Sequence, residues 1–346
     1  MNPLCLRELV DVVHGELIMG AMPPLEGDLT PIIAVSLNSR EIDNHDLFWG
    51  ILGKHHDGSR YAEDAFRQGA IGAVVSNRQI EPWAGRFAIR VDDSQQALWR
   101  LASWMRHRFQ GRLIVVNQTE EERYISALIH AVLSTRKQTA AEFRPQKQSK
   151  PLALQLLNLE EDHEYGIITV PAANRSDFSN FSHLCCPHIA VITPLLEAKD
   201  QNQEGLNATT TNCVDLLNSL PKGGWVVADG DTPFLRKLNK RQDINIIWTG
   251  EDLANDIVAT DIRYQANSVD FHLENYPIHI PIANTSCVKA TLAAAAIGKL
   301  FDISMEQIVN HLNRYLANPH LLKEIADPSL LTNRHMLDSF FATQSF

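Results

Sequence analysis

Apolar positions along the chain switch between short unbroken runs and spacings of three and four, a pattern that predicts a mixed α/β protein. Leu4, Leu6, Leu9, Val10 and Val13 trace a short amphipathic helix. Strands are predicted at 32–37 and 46–52, with a polar turn over 38–45 between them and a turn-rich loop at 53–59. A helix over 60–68 and strands at 71–75 and 87–91 complete a small unit that ends near residue 92. Asp93 is placed to cap a long helix reaching Phe109, with Ala97, Leu98, Leu101, Trp104 and Met105 facing inward.

Leu113 to Val116 then form a buried run, and Tyr124, Leu128, Ile129, Val132 and Leu133 give the spacing of a helix. Strands near 165–170, 189–193, 224–228 and 244–248 alternate with helices near 177–184, 208–219 and 233–240. That alternation predicts a mainly parallel sheet covered by helices on both faces. Segments 257–264, 268–273 and 278–282 have the pattern of an antiparallel run, and helices over 286–301 and 305–315 follow. Residues 138–150 are polar without a period and are expected to form a loop.

At 346 residues, 45% hydrophobic and 21% charged, the chain has room for two or three cores. Its net charge of −10 argues against a nucleic-acid partner, which would call for a basic face. No apolar run is long enough to span a membrane, and the first residues lack the charged-then-apolar pattern of a signal peptide. The five cysteines, Cys5, Cys185, Cys186, Cys213 and Cys287, show no paired spacing and are expected to be free thiols in a reducing cytoplasm.

The strand and helix on either side of residues 117–123 are the setting of a phosphate-binding loop. Such a loop needs glycines that let backbone N–H groups close on the phosphates, a Lys, and a hydroxyl for magnesium. Asn117 to Arg123 contains neither glycine nor lysine, and holds Glu120, Glu121 and Glu122 instead. A carboxylate about 5 Å from a phosphate costs on the order of 3 kcal/mol at an effective dielectric near 20. Thr119 and Glu122 have the spacing of a capping box, and Glu120 and Glu121 suit the positive end of the helix dipole. Taken alone, the turn is either a nucleotide loop that has lost its ligand or a self-capped turn that never held one.

A series of short strings carries a family resemblance: Ser39-Arg40, Asp46 to Phe48, Asp57-Gly58, Gly69-Ala70, and the runs 97–104, 128–135, 186–193, 229–235 and 293–298. In order and spacing, over about residues 4–320, they resemble the Mur ligases of peptidoglycan synthesis. The branch they resemble most adds D-alanyl-D-alanine to UDP-N-acetylmuramoyl-tripeptide. The resemblance implies an N-terminal α/β domain of the UDP-sugar-binding type over 1–92. It also implies a P-loop-NTPase-like central domain of the ATPase type over 93–320, with its parallel sheet covered by helices. Residues 321–346 are then a tail, and the third ligase domain, which brings the incoming amine, is expected to be absent.

The family reaction forms an acyl phosphate from a substrate carboxylate and ATP, and an amine then attacks it; magnesium neutralises the phosphates. In the aligned positions the loop Lys falls on Glu122 and the magnesium-binding Thr on Arg123. A Glu metal ligand falls on Thr169, a metal-serving His on Lys199 and a carbamylated Lys on Cys213. The family's His-rich turn and helix Asn fall on Ser286, Cys287 and Ala290. The expectation is a chain without catalytic residues or resident metal, its binding of ATP and magnesium lost. In the N-terminal loops Ser39, Arg40, Asp57 and Gly58 match the family and Lys54 lies beside them, whereas Asn38 replaces the usual Asp and Ser59 the usual His. Arg40 is suited to a bidentate phosphate contact. The same residues also build turns, so that binding and purely structural roles both remain open.

His55 and His56 are expected in a solvated loop, and Cys213 is expected to be a small buried hydrophobe rather than a nucleophile. The function expected is that of a catalytically inactive Mur-ligase homologue. It would bind a UDP-N-acetylmuramoyl-peptide, a protein partner or further copies of itself, and neither nucleic acid nor membrane. The alternative is a divergent ATP-dependent amide ligase, completed by a separate subunit, with Arg123, Lys199 and Lys222 supplying positive charge.

Overall fold

A computed structural model describes residues 4–32, 34–53, 56–76, 78–118, 124–134, 139–141, 151–171, 178–192, 203–238, 241–282 and 285–317. The chain forms two compact units: residues up to 110 together with 153–162, and the remainder.

The first unit begins with β1 (Leu4–Cys5), α1 (Leu6–Val13) and β2 (Glu16–Met19). It continues with β3 (Pro31–Ile32), β4 (Val35–Ser36), β5 (Leu47–Trp49), α2 (Ala62–Gln68), β6 (Gly72–Ser76), β7 (Phe87–Val91) and α3 (Ser94–Arg108). A five-stranded sheet has the order β2-β7-β6-β5-β4. Strands β4 to β7 are parallel, and β2 runs antiparallel on the edge of β7. Strand β2 was not foreseen, because one exposed and three half-exposed residues on a sheet edge carry neither an alternation nor a buried run. Asp93 caps α3 as expected, its Oδ1 accepting from the N–H groups of Gln95 and Gln96 at 2.8 and 3.0 Å. Helix α3 belongs to this first unit, where it packs on α1 and buries Ala97, Leu98, Leu101 and Met105.

The following elements are β8 (Arg112–Gln118), α4 (Tyr124–Leu133), β9 (Thr139–Ala141), α5 (Leu152–Leu156), β10 (Tyr165–Pro171), α6 (Phe178–Cys185) and β11 (Ile189–Ile192). Then come α7 (Gln203–Ser219), β12 (Trp225–Asp229), α8 (Pro233–Leu238), β13 (Asn245–Gly250), β14 (Ile257–Tyr264), β15 (Val269–Leu273) and β16 (Tyr276–Ile280). Helices α9 (Thr285–Leu300) and α10 (Met305–Leu316) complete the described elements. The sheet of the second unit has nine strands in the order β16-β15-β14-β13-β12-β11-β8-β10-β9. It is parallel from β9 to β14 and antiparallel from β14 to β16, which agrees with the expected mixture. The stretch 138–150, expected to be a loop, contains β9, which takes its place by pairing with β10 rather than by any apolar pattern of its own. One face of the sheet is covered by α4, α9 and α10, whose core includes Val132, Leu292, Ile297, Ile308 and Leu312 against Ile114, Val116 and Val191.

Candidate functional site

Strand β8 is the topological switch of the second sheet: the chain leaves it for β9 and β10 on one side and then enters β11 on the other. Ligands of open α/β sheets bind at the carboxyl ends of strands beside such a switch. Glu122, Arg123 and Lys199 lie outside the described residues. The described side chains nearby are informative. Thr169, on β10, places Oγ1 2.8 Å from Oγ of Ser126 in the first turns of α4, so a hydroxyl pair stands where the resemblance puts a metal-binding carboxylate. Asn117 donates from Nδ2 to Sγ of Cys213 on α7 at 3.4 Å. Cys213 is buried, and burial pushes its thiol up to about 12. Ala290 is buried on α9, and the thiol of Cys287, one turn earlier, is likewise pushed up to about 12.

Magnesium requires hard oxygen ligands, mainly carboxylates and phosphates. The neutral thiol of Cys213 and the methyl group of Ala290 offer that ion no oxygen, and the Thr169–Ser126 pair brings no charge, so these described positions do not fit it.

Further along the same edge, Asp229 ends β12 with its side chain 4% exposed. Its Oδ1 accepts from the Asp231 N–H at 3.0 Å, and its Oδ2 accepts from Thr232 Oγ1 at 2.8 Å and from Lys289 Nζ at 2.9 Å. Beside it, Asp231 accepts from Asn255 Nδ2 at 2.7 Å, and Arg236 donates to Asn255 Oδ1 at 2.7 Å while its guanidinium lies 4.7 Å from the centre of the Trp248 ring. The polar groups at the ends of β12 and β13 are thus satisfied by one another. Lys289 escaped the sequence analysis: Asp229 and Asp231 belong to a family string, but their cation sits sixty residues later on a helix.

In the first unit, parallel strands β4 and β5 deliver the loops after them to one carboxyl edge. Ser36 Oγ accepts from the Asn38 N–H at 3.2 Å and Asn38 Oδ1 from the Arg40 N–H at 3.1 Å, a turn that leaves Arg40 exposed and Ser39 half-buried. Among the described residues no ion pair engages Arg40. On the next loop Asp57 accepts from the Ser59 N–H at 2.9 Å. Gly58 donates to the Ile51 carbonyl at 2.9 Å, and a Cβ there would lie 2.7 Å from that oxygen, so only glycine allows this approach. Lys54 and His55 lie outside the described residues, and His56 is exposed.

The second loop is held by three buried serines, Ser59, Ser76 and Ser94, of which sequence analysis singled out only Ser59. Ser76 N–H donates to Ser59 Oγ at 3.2 Å, Ser94 N–H to Ser76 Oγ at 2.9 Å, and Leu52 N–H to Ser94 Oγ at 3.1 Å. Trp49 Nε1 donates to the Ser94 carbonyl at 2.8 Å. Ser76 ends β6, Ser94 begins α3 and Ser59 lies in the turn after Asp57, so no shared pattern in the sequence announces this relay. The structure therefore brings Ser39, Arg40, Asp57 and Gly58 to one edge of one sheet.

Residues 122–298 match the Mur ligase middle domain. The chain belongs to the Mur ligase family. It is 25% identical over 302 residues to the UDP-N-acetylmuramoyl-tripeptide--D-alanyl-D-alanine ligase of Bacillus subtilis, covering 86% of this chain and 65% of the relative. With the ligase of the same name from Escherichia coli it shares 22% identity over 347 residues, 99% of this chain and 74% of the relative. The chain thus spans roughly two thirds to three quarters of these two Mur ligases. Among solved structures, MurF from Acinetobacter baumannii superposes with a TM-score of 0.72 at 20% identity, over 91% of this chain and 68% of that one. The MurF ligase of Thermotoga maritima in complex with ADP gives 0.66 at 18% identity, over 81% and 65%. These likenesses establish the Mur-ligase fold. Among the described residues no helix is long and apolar enough to cross a membrane.

Proposed function

We propose that this chain is a Mur-ligase homologue that has lost ATP-dependent ligation and is retained for binding a UDP-linked peptidoglycan precursor through the loops of its first unit. The observation that carries the proposal is Cys213. Its position, which the resemblance assigns to a carbamylated lysine bridging metal ions, holds a buried thiol raised to about 12, which neither carries charge nor bridges cations at neutral pH. Thr169 bonded to Ser126, the buried Ala290 and the glycine-free turn with Glu120, Glu121 and Glu122 support the same reading.

Binding would rest on the carboxyl edge of the first sheet. Arg40 is exposed and unengaged by any described carboxylate, ready for a diphosphate, and the Asn38 turn and Gly58 present backbone at the same edge. The test is an assay of phosphate release with UDP-N-acetylmuramoyl-tripeptide, D-alanyl-D-alanine and magnesium ATP, run beside an active family member. The expected result is no release above background. Turnover sensitive to substitution of Glu122 or Arg123 would instead establish a divergent ligase.

A further inference from the structure

The opposite edge of the first sheet carries a cluster of exposed apolar side chains that precursor binding does not use. Because β2 runs antiparallel to β7, the loop after β2 and the turn before β7 meet at the amino ends of β4 to β7, away from Ser39, Arg40 and Asp57. They are bonded together: Gly20 donates to the Arg86 carbonyl at 2.9 Å and Gly85 to the Met22 carbonyl at 2.7 Å. A Cβ at Gly20 would lie 2.0 Å from the Trp83 carbonyl oxygen, so the two segments pack backbone on backbone. From them project Met22 at 64% exposure, Leu29 at 73%, Trp83 at 45% and Leu25, which is fully exposed.

Trp83 is a preformed anchor, its ring 6.3 Å from that of Phe66 between centroids. Rigid aromatic and aliphatic groups of this kind are the usual centres of protein interfaces. The same segments carry the exposed carboxylates Glu26, Asp28 and Glu81; of the cations, Arg86 donates to the Gly69 carbonyl at 3.3 Å, and Arg78 lies exposed earlier in the connection to β7, so carboxylates outnumber cations. An acidic rim on a chain of net charge −10 disfavours a second copy, which would set like rims face to face, and disfavours an anionic lipid surface.

We infer that the surface formed by Met22, Leu25, Leu29 and Trp83 docks a basic, amphipathic protein segment, with apolar side chains on these residues and Lys or Arg against Glu26, Asp28 and Glu81. Partner and precursor would occupy opposite edges of one sheet and bind together.

The test uses the full chain and a labelled synthetic helical peptide of leucines and lysines, followed by fluorescence anisotropy. A leucine-glutamate peptide and phosphatidylglycerol vesicles serve as alternative probes, and sedimentation reports self-association. The expected result is binding of the lysine peptide that weakens with salt and falls about tenfold or more in Leu25→Ser/Leu29→Ser and in Glu26→Lys/Asp28→Lys. All four positions are exposed, so the fold is expected to survive, which circular dichroism checks. Absence of binding, equal binding by the variants, or equal binding of the glutamate peptide would overturn the inference. So would a preference for the vesicles, or a dimer that Leu25→Ser/Leu29→Ser dissociates. Because Arg40 is untouched, titration of the same variants with the precursor reports separately on the other edge.

Discussion

Lys289 Nζ lies 2.9 Å from Oδ2 of Asp229, whose side chain is 4% exposed at the end of β12. The lysine itself is one third exposed, so the pair is bound at one end and solvated at the other. Removing the cation leaves a buried carboxylate with only the Thr232 hydroxyl and the Asp231 N–H. Lys289→Met is expected to destabilise the chain by about 1–3 kcal/mol in urea unfolding, less than a fully buried pair because water screens the exposed end. Lys289→Met combined with Asp229→Asn should cost less than the sum of the two single changes.

The serine relay ties the stability of the first unit to its binding edge. Ser94→Ala removes the acceptor of the Leu52 N–H and is expected to cost about 1–3 kcal/mol. The same substitution should weaken precursor binding, because Leu52 leads into the loop that ends at Asp57 and Gly58. Urea unfolding and titration of one protein sample check both effects.

Cysteine reactivity should follow burial. Cys186 is exposed, whereas Cys185, Cys213 and Cys287 are buried, and the last two thiols are pushed up to about 12. A disulfide reagent at pH 8 is expected to modify Cys186 in the native protein and to reach Cys213 and Cys287 only after unfolding. Rapid native modification of Cys213 would show a thiolate where a neutral thiol is expected.

His130, half-buried on α4, is held down to about 4 from 6.5 by burial, and His311 is shifted in the same direction, by burial and then by Arg314. Between pH 6.5 and 4 the unfolded His130 binds a proton that the folded one refuses, so stability falls as the pH drops through that window. The loss from His130 is no more than ~3 kcal/mol. Urea unfolding at pH 7 and pH 4.5 should show a smaller loss in His130→Leu than in the wild type.

Much of the fold was legible where burial acts along the chain. Strand β7 has the predicted bounds, α3 starts immediately after the expected cap Asp93, and β14 matches residue for residue, since each is a contiguous or periodic apolar run closed by turn residues. Strands β2 and β9 were missed because edge pairing, not their own pattern, makes them strands. Ser39, Arg40, Asp57 and Gly58 were proposed from the family strings, and the structure places them at one sheet edge. Ser76, Ser94 and Lys289 were not proposed, because their roles consist of contacts with residues far away in sequence. The burial of Cys213 was expected from the sequence, whereas the bonds of Cys213 to Asn117 and of Thr169 to Ser126 became visible only in three dimensions.

Calorimetric titration of the purified chain with UDP-N-acetylmuramoyl-tripeptide and, separately, with magnesium ATP tests the loss of ligation and the retention of precursor binding together. The expected result is a saturable heat with the sugar nucleotide, weakened by Arg40→Ala, and none with ATP. Saturable binding of magnesium ATP at micromolar concentration, with or without the sugar nucleotide, would contradict it.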